Sequence, residues 1–306
     1  MAIVVIGTTF VDVKGFPSNV YIPAGRNAGN VEFVHGGVGR NVAEDIANIE
    51  LKPVYVSMTD ETAIGHEVLV RLEEHNVNTD YIAVSPDGLG MWLAVFNEKG
   101  DVVASISKRP GMEPLTELIE NKSDEIFEKC DSIVIELDLE GNLVDKVFAA
   151  AAKYNKNVYA LVSNITIASE RRDYISKTSC FICNAQEAEI LFLSDFSGLG
   201  HEEMLEKLKL NMHNAGIKTM VVTLGGDGCI YAEEGGESGY LPARKVNVRD
   251  TTGAGDAFCA GVSAALTYGK RLSEAVETGT RLASATVSSR ESVCPHFQPS
   301  EFGINI

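Results

Sequence analysis

A chain of 306 residues, 45% hydrophobic and 23% charged, carries enough apolar material for a sizeable core and no low-complexity tail, so it reads as folded nearly throughout. Its 43 acidic and 26 basic residues leave a formal net charge of -17, a surface that repels phosphate backbones and anionic membranes and argues against nucleic-acid or membrane partners. Six cysteines in a chain of this length do not suggest a disulfide framework.

The opening run AIVVIG is too short to span a membrane and lacks a basic leader and a cleavage-like sequence. It reads as a buried strand of a cytoplasmic protein. From there, short apolar runs alternate with helix-like segments. Strands are expected at 3–7, 53–58, 132–137, 157–162, 180–184, 219–225 and 229–233, with amphipathic helices at 64–77, 141–155 and 202–216. Buried strands joined by crossover helices imply an α/β fold with a mostly parallel sheet and helices on both faces. Within 180–184, Cys180 and Cys183 have redox or zinc spacing, but no second cysteine pair completes four ligands, and they read as thiols packed in a strand.

Two regions break the rhythm. Residues 13–34 are rich in Gly, Pro and Asn, and residues 90–107 form two alternating runs joined at Glu98-Lys99-Gly100-Asp101, a β-hairpin signal. Neither leads into a helix, so both are expected to stand off the main sheet as an antiparallel flap able to cover a ligand at the strand ends. The hairpin presents Trp92 and Phe96 on one face, and an apolar flap face of this kind suits packing on a second copy, a homodimer through the lid.

Three glycine clusters compete to cradle a ligand: HGGVGRN (35–41), TLGGDG (223–228) and DTTGAGD (250–256). None has P-loop spacing, and Phe258 stands where a dinucleotide fingerprint needs its third glycine. After Gly255 the small residues of DAFCAGVSAALTYG suit a helix packed closely on a sheet, which puts DTTGAGD at that helix's N-terminus. Unpaired N–H groups and the positive dipole end favour an anion there, and glycines at 253 and 255 let it approach. Asp256 in that loop reads either as a helix cap or, between amides that would stabilise a transferring phosphoryl group, as the base that takes a proton from an attacking hydroxyl.

DTTGAGDAF resembles the signature of the ribokinase-like (PfkB) carbohydrate and nucleoside kinases. HGGVGRN is similar to their earlier Gly-Gly signature ending in Asn, NAQE (184–187) to their Asn-x-x-Glu element, and TLGGDG to their Gly-rich strand end. These four matches, in order, cover almost the whole chain. The resemblance implies a single ribokinase-like three-layer domain over 1–306, with lid inserts at about 13–34 and 90–107, and ATP-dependent phosphorylation of a hydroxymethyl group. It assigns Asp256 as the base and the backbone of Gly253, Ala254 and Gly255 as the anion hole. Asp12, Gly36, Gly37 and Asn41 would hold acceptor hydroxyls, and so would Asp138, which reads equally as a solvated loop acid. Asn184, Thr223, Gly226 and Gly228 would face ATP. Asn184 and Glu187 would organise Mg2+, largely through water, whereas without the family context Glu187 is an exposed helix-start residue and the glycines a strand-to-strand turn. Asp250 and Thr252 resemble a monovalent-cation loop, but the partner segment SSRESVCP (288–295) lacks the Gly usual in the sugar kinases, which weakens the case for K+.

VDVKGFP (11–17), GRNAGNVEFVHGGVGRNVAEDIA (25–47) and ATVSSRESVCP (285–295) are similar to stretches of the pseudouridine-kinase branch, while SKRPGME (107–113) and ELDLEG (136–141) depart from it near the acceptor pocket. Lys14, Asn19 and Arg26 offer contacts to a base or phosphate, or plain surface solvation. Arg40 offers local positive charge for a polyphosphate in an acidic protein. The readings that follow are a nucleoside kinase acting on a ribose 5'-hydroxyl, a sugar or sugar-phosphate kinase of the same fold, and a sensor that keeps the fold without turnover.

Overall fold

The computed structural model describes residues 2–164, 167 and 170–305. Its centre is a nine-stranded sheet. In chain order the strands are β1 (Ile3–Ile6), β4 (Val54–Thr59), β5 (Asn78–Val84), β8 (Ser132–Glu136), β9 (Asn157–Leu161), β10 (Cys180–Asn184), β11 (Thr219–Thr223), β12 (Cys229–Glu233) and β13 (Ser238–Leu241). Across the sheet they run β13-β12-β11-β10-β9-β8-β1-β4-β5, parallel except at the β11-β12-β13 edge. Successive strands build outward in opposite directions from β1, so the sheet has a switch point between β1 and β8, where an α/β crevice opens at the carboxyl ends of the strands.

The strands are apolar on both sides because both sides are covered. Ile3 and Val5 of β1 point into one core with α1 (Val38–Ala47), α2 (Ala63–Glu74), α8 (Ala254–Thr267) and α9 (Leu272–Thr286). Val4 and Ile6 point into the other with α3 (Glu113–Phe127), α4 (Gly141–Lys153) and α7 (His201–Ala215). Two-residue alternation sends neighbouring side chains to opposite layers. It also parts the two cysteines of CFIC: Cys180 lies in the first core and Cys183 in the second, and all six cysteines are free and buried. Two shorter helices, α5 (Arg172–Ile175) and α6 (Ala185–Phe192), flank β10 in the chain.

A second, four-stranded sheet forms the lid: β2 (Phe10–Pro17), β3 (Gly29–Gly36), β6 (Gly90–Phe96) and β7 (Val102–Lys108), in the order β3-β2-β6-β7. The β6–β7 hairpin turns at the Glu98–Asp101 stretch, with Gly100 at φ +86°. The central β2–β6 pair is parallel, so the lid is not the purely antiparallel flap expected from the hairpin signal alone. Among the described residues no helix is long and apolar enough to cross a membrane.

Candidate active site

The loop before α8 places the residues of DTTGAGD. Asp250 Oδ1 accepts from the Thr252 N–H at 2.9 Å and the Thr252 hydroxyl at 2.8 Å. Burial pushes the Asp250 carboxyl up, but these two bonds together with the Lys14 charge and the Thr251 N–H hold the group below its usual range. Gly253 then takes φ +79° as the residue that caps α8, and a Cβ there would be driven into the Ser292 carbonyl, so only glycine fits. Among the described residues the N–H groups of Gly253, Gly255 and Asp256 meet no protein acceptor, whereas that of Ala254 reaches the Thr251 carbonyl at 3.3 Å. Three open amides at a helix N-terminus make a concavity for an anion. Ala254 supplies shape to it more than a donor.

Asp256 sits in the first turn, partly exposed at the crevice. Its Oδ2 accepts from Asn41 Nδ2 at 2.7 Å. Burial, followed at a distance by the like charge of Glu136, raises its carboxyl to about 7 against the opposing pull of the Asn41 bond and of Arg40. A carboxyl poised there is both ionised and basic near neutrality.

Asn41 lies one turn into α1, whose N-cap, Gly37, has φ +97°. Gly36, the last residue of β3, lies so close to Asp12 on β2 that a Cβ on it would sit 3.0 Å from Asp12 Oδ1. Asp12, Gly36, Gly37, Asn41 and Asp256 are therefore one continuous wall. Burial raises the Asp12 carboxyl, with Lys14 and Arg40 opposing, and the Lys14 charge also acts on Asp250. The lid face carrying Asp12 and Lys14 is thus the one turned to the anion loop. Trp92 lies directly across from Asp12 in the β2–β6 register, on that same face. Phe96 packs edge-on to Trp92 with centroids 6.5 Å apart and stacks on Phe16 at 4.7 Å. Trp92 and Phe96 consequently belong to the crevice side. The outward face holds Val31, Phe33, Leu93 and Ile106, 43–69% exposed.

Asp138 is buried and not a solvated loop acid: Ser163 donates to it from the backbone at 3.1 Å and the hydroxyl at 2.6 Å. Arg109, just past the lid, stands 3.8 Å from Asp138 Oδ2 and 5.8 Å over the Phe10 ring. Asn184 and Glu187 form a reciprocal cap at the start of α6, Asn184 Oδ1 accepting from the Glu187 N–H at 2.9 Å and Glu187 Oε2 from the Asn184 N–H at 2.8 Å. Glu187 is only 7% exposed, and burial raises its carboxyl. The cap engages one of the two carboxylate oxygens of Glu187 and the single side-chain oxygen of Asn184. Among the described residues no three His, Cys, Asp or Glu side chains converge on a metal, so the donors present fit a hydrated divalent cation better than a fully protein-ligated one.

Thr223 ends β11 with its hydroxyl 3.4 Å from the Cys183 carbonyl. Gly226 faces open space, but a Cβ on Gly228, at φ +109°, would meet the Leu241 carbonyl, so Gly228 is required by the β12–β13 crossing. Arg40 is 1% exposed, and it pairs with Glu44 and donates to the His35 carbonyl and, at 3.1 Å, to Ser292 Oγ. It is spent inside the protein and is not a phosphate cation. Lys14 shares the crevice with Asp12, while Asn19 and Arg26 lie in the exposed β2–β3 connection. Sequence reasoning missed Arg109, Ser292, Thr8 and Glu136. The last three are brought to the site only by tertiary pairing.

Comparison with known proteins decides the family. A family model described as "pfkB family carbohydrate kinase" matches residues 2–295. The chain belongs to the PfkB family. It is a kinase, a phosphotransferase with an alcohol acceptor. A guanosine-inosine kinase of Exiguobacterium acetylicum is 32% identical over 94% of this chain and 95% of its own. A pseudouridine kinase of Escherichia coli (strain K12) is 26% identical over 94% and 90%. Arabidopsis thaliana ribokinase, solved with ribose and ATP, superposes with a TM-score of 0.86 at 20% identity, covering 99% of both chains. The ribokinase-like α/β architecture of this PfkB kinase is thereby shown.

Proposed function

We propose that this PfkB kinase transfers the terminal phosphoryl group of ATP to the ribose 5'-hydroxyl of a nucleoside, pseudouridine or a purine nucleoside. The observation that carries the nucleoside is the aromatic shelf of Phe16, Trp92 and Phe96 on the lid face shared with Asp12. A free sugar held at Asp12 would leave the crevice side of those rings uncovered, whereas a base attached to that sugar stacks on them. Relatives that are nucleoside kinases by name include the guanosine-inosine kinase and the Escherichia coli pseudouridine kinase.

In this reading Asp12 and Asn41 hold ribose hydroxyls, with Gly36 and Gly37 giving them room and Asp138 bonding a further hydroxyl. As the 5'-oxygen bonds to phosphorus, its proton passes to the Asp256 carboxylate, the bond to the ADP oxygen breaks, and the Gly253, Gly255 and Asp256 amides stabilise the charge on the transferring group. ATP lies along Asn184, Thr223 and the 226–228 turn. Mg2+ would be held through water by Asn184 and Glu187, where it would neutralise phosphate charge. Thr252 takes up Asp250 Oδ1, and the scheme as written includes no K+ requirement. We further infer that the outward lid face covers itself with a second copy.

The test is a coupled ADP-release assay across pseudouridine, inosine, guanosine, the other common nucleosides, ribose, fructose and sugar phosphates. Turnover of a nucleoside well above that of any free sugar is expected. Robust turnover of free hexoses with none of any nucleoside overturns the reading.

A further inference from the structure

Glu136 ends β8, a strand otherwise made of Ser132, Ile133, Val134 and Ile135, and it is 2% exposed. Nothing in the reaction above uses it. A buried carboxyl is costly unless it is bonded, and Glu136 makes its bonds across the switch point: Oε2 accepts from the Thr8 N–H at 2.9 Å and the Thr8 hydroxyl at 2.8 Å. Among the described residues no protein donor reaches Oε1. Thr8 follows β1, and its carbonyl accepts in turn from the Arg40 N–H at 3.3 Å and the Tyr55 hydroxyl at 2.9 Å. The Arg40 N–H belongs to the first turn of α1, and the next residue is Asn41, which donates to Asp256. Bonded contacts thus run from β8 through Thr8 and the start of α1 to the base.

We propose that Glu136 is a positioning residue for phosphoryl transfer, tethering Thr8 and through it the turn of α1 that presents Asn41 to Asp256. The proposal rests on Asp256 being the base. Asp256 faces Glu136 from β8, Arg40, Asn41 and Asp45 from α1, and Cys259 on its own helix. Glu136 in turn faces Asp138, Arg109, Tyr55 and Asp256. Burial and then the Asp138 charge raise the Glu136 carboxyl to about 7, with the Thr8 bonds and Arg109 opposing. Its negative charge therefore builds up over the same range as that of Asp256 and makes Asp256 harder to ionise.

Glu136→Gln tests this, because an amide oxygen still accepts from Thr8 while the charge is gone. With ATP and nucleoside saturating, the acid limb of kcat is expected to move to lower pH by about half to one unit, and KM for ATP to stay within about twofold of wild type. Glu136→Ala, which also cuts the tether, is expected to lower kcat by about tenfold or more. A folded Glu136→Ala protein with wild-type kcat overturns the tether, and a folded Glu136→Gln protein with an unmoved limb removes the effect of the charge. If Glu136→Gln does not fold, Thr8→Val removes the hydroxyl donor and leaves the backbone one; a several-fold fall in kcat at constant KM for ATP supports the tether, and wild-type kcat overturns it. Asp256→Asn run in parallel separates the two levels. Retained turnover there defeats the base assignment, whereas lost turnover beside wild-type kcat in Glu136→Ala defeats only the role of Glu136.

Discussion

In the nine-stranded sheet, alternate side chains of β1 enter two separate cores and are 2% exposed or less. In the lid, alternate side chains part differently: Asp12, Lys14 and Trp92 turn to the crevice, while Phe33 is 59% and Ile106 69% exposed on the opposite face. The same two-residue period gives a doubly covered layer in one place and a single-covered leaf in the other. Groups that must hold a phosphoryl group and a base in register rest on the covered sheet and on helices packed against it, where local opening is costly. On the proposed reading, acceptor discrimination falls to the leaf, which has fewer buried contacts than the central sheet.

The largest effect is expected on the rigid side. Asp256→Asn should leave ATP binding largely intact and lower turnover by about two to four orders of magnitude, through loss of the base. Near-normal phosphoryl transfer by that variant would mean that Asp256 is not the base. The same change reports on what the site costs the fold. A carboxyl raised from 3.8 to about 7 by burial contributes stability that is complete below about 4 and is lost as pH climbs through about 7. Asp256→Asn should accordingly melt a few degrees above wild type at alkaline pH and match it near pH 4, by a rough linkage argument. Wild-type kcat should rise with pH through about 7. A flat profile across neutrality would remove the role of this ionisation.

Second in size is the pair Gly228→Ala and Gly226→Ala. The first forces a Cβ into the Leu241 carbonyl at a φ that side chains avoid, whereas the second adds a methyl to open space. Thermal melts should show Gly228→Ala losing about 2 kcal/mol, roughly 3 °C in Tm for a chain of this length, and Gly226→Ala close to wild type in Tm. Equal losses would mean that the two glycines serve one purpose. If Gly226→Ala instead raises KM for ATP with Tm unchanged, that position touches nucleotide.

Much of this contrast was legible before the fold was known, and its gaps have physical causes. Residues 180–184 and 229–233 are strands at the expected bounds because continuous apolar runs between turn residues have one good use in an α/β protein. β5 was missed because NTDYIAV begins polar and is only half covered at the sheet edge, and α3 because its charged face blurs the apolar stripe. Gly253 and Asp256 could be singled out because the anion loop and its helix are contiguous in sequence. Glu136 could not. A lone Glu ending a strand looks like any solvated strand-end acid until β8 pairs with β1 and brings it to Thr8, 128 residues away. Trp92 and Phe96 were correctly put on one hairpin face, but that face was read as the one meeting a second copy, and the β2–β6 register shows that it is instead the face of Asp12.

On the leaf, effects should be smaller and selective. Trp92→Ala should raise KM for the nucleoside by about tenfold, in line with loss of one stacking partner, and leave KM for ATP and any residual activity on free ribose unchanged. Equal losses for nucleoside and ribose would point to lid collapse and not to a base shelf.

The smallest catalytic effect is expected on the outward face. Four exposed apolar side chains, Val31, Phe33, Leu93 and Ile106, form a patch of the kind that monomers rarely leave open. Because these residues alternate with the crevice row, charging them leaves Asp12, Lys14 and Trp92 in place. Phe33→Asp combined with Ile106→Asp should convert a dimer to a monomer in sedimentation or light scattering while kcat per chain changes by less than about twofold. If the wild-type chain is already monomeric at high concentration, self-association is not what covers this face. If instead the variant loses most of its kcat along with its partner, the leaf needs the second copy to hold the crevice face in shape, and the separation of the two lid faces into chemistry and contact breaks down.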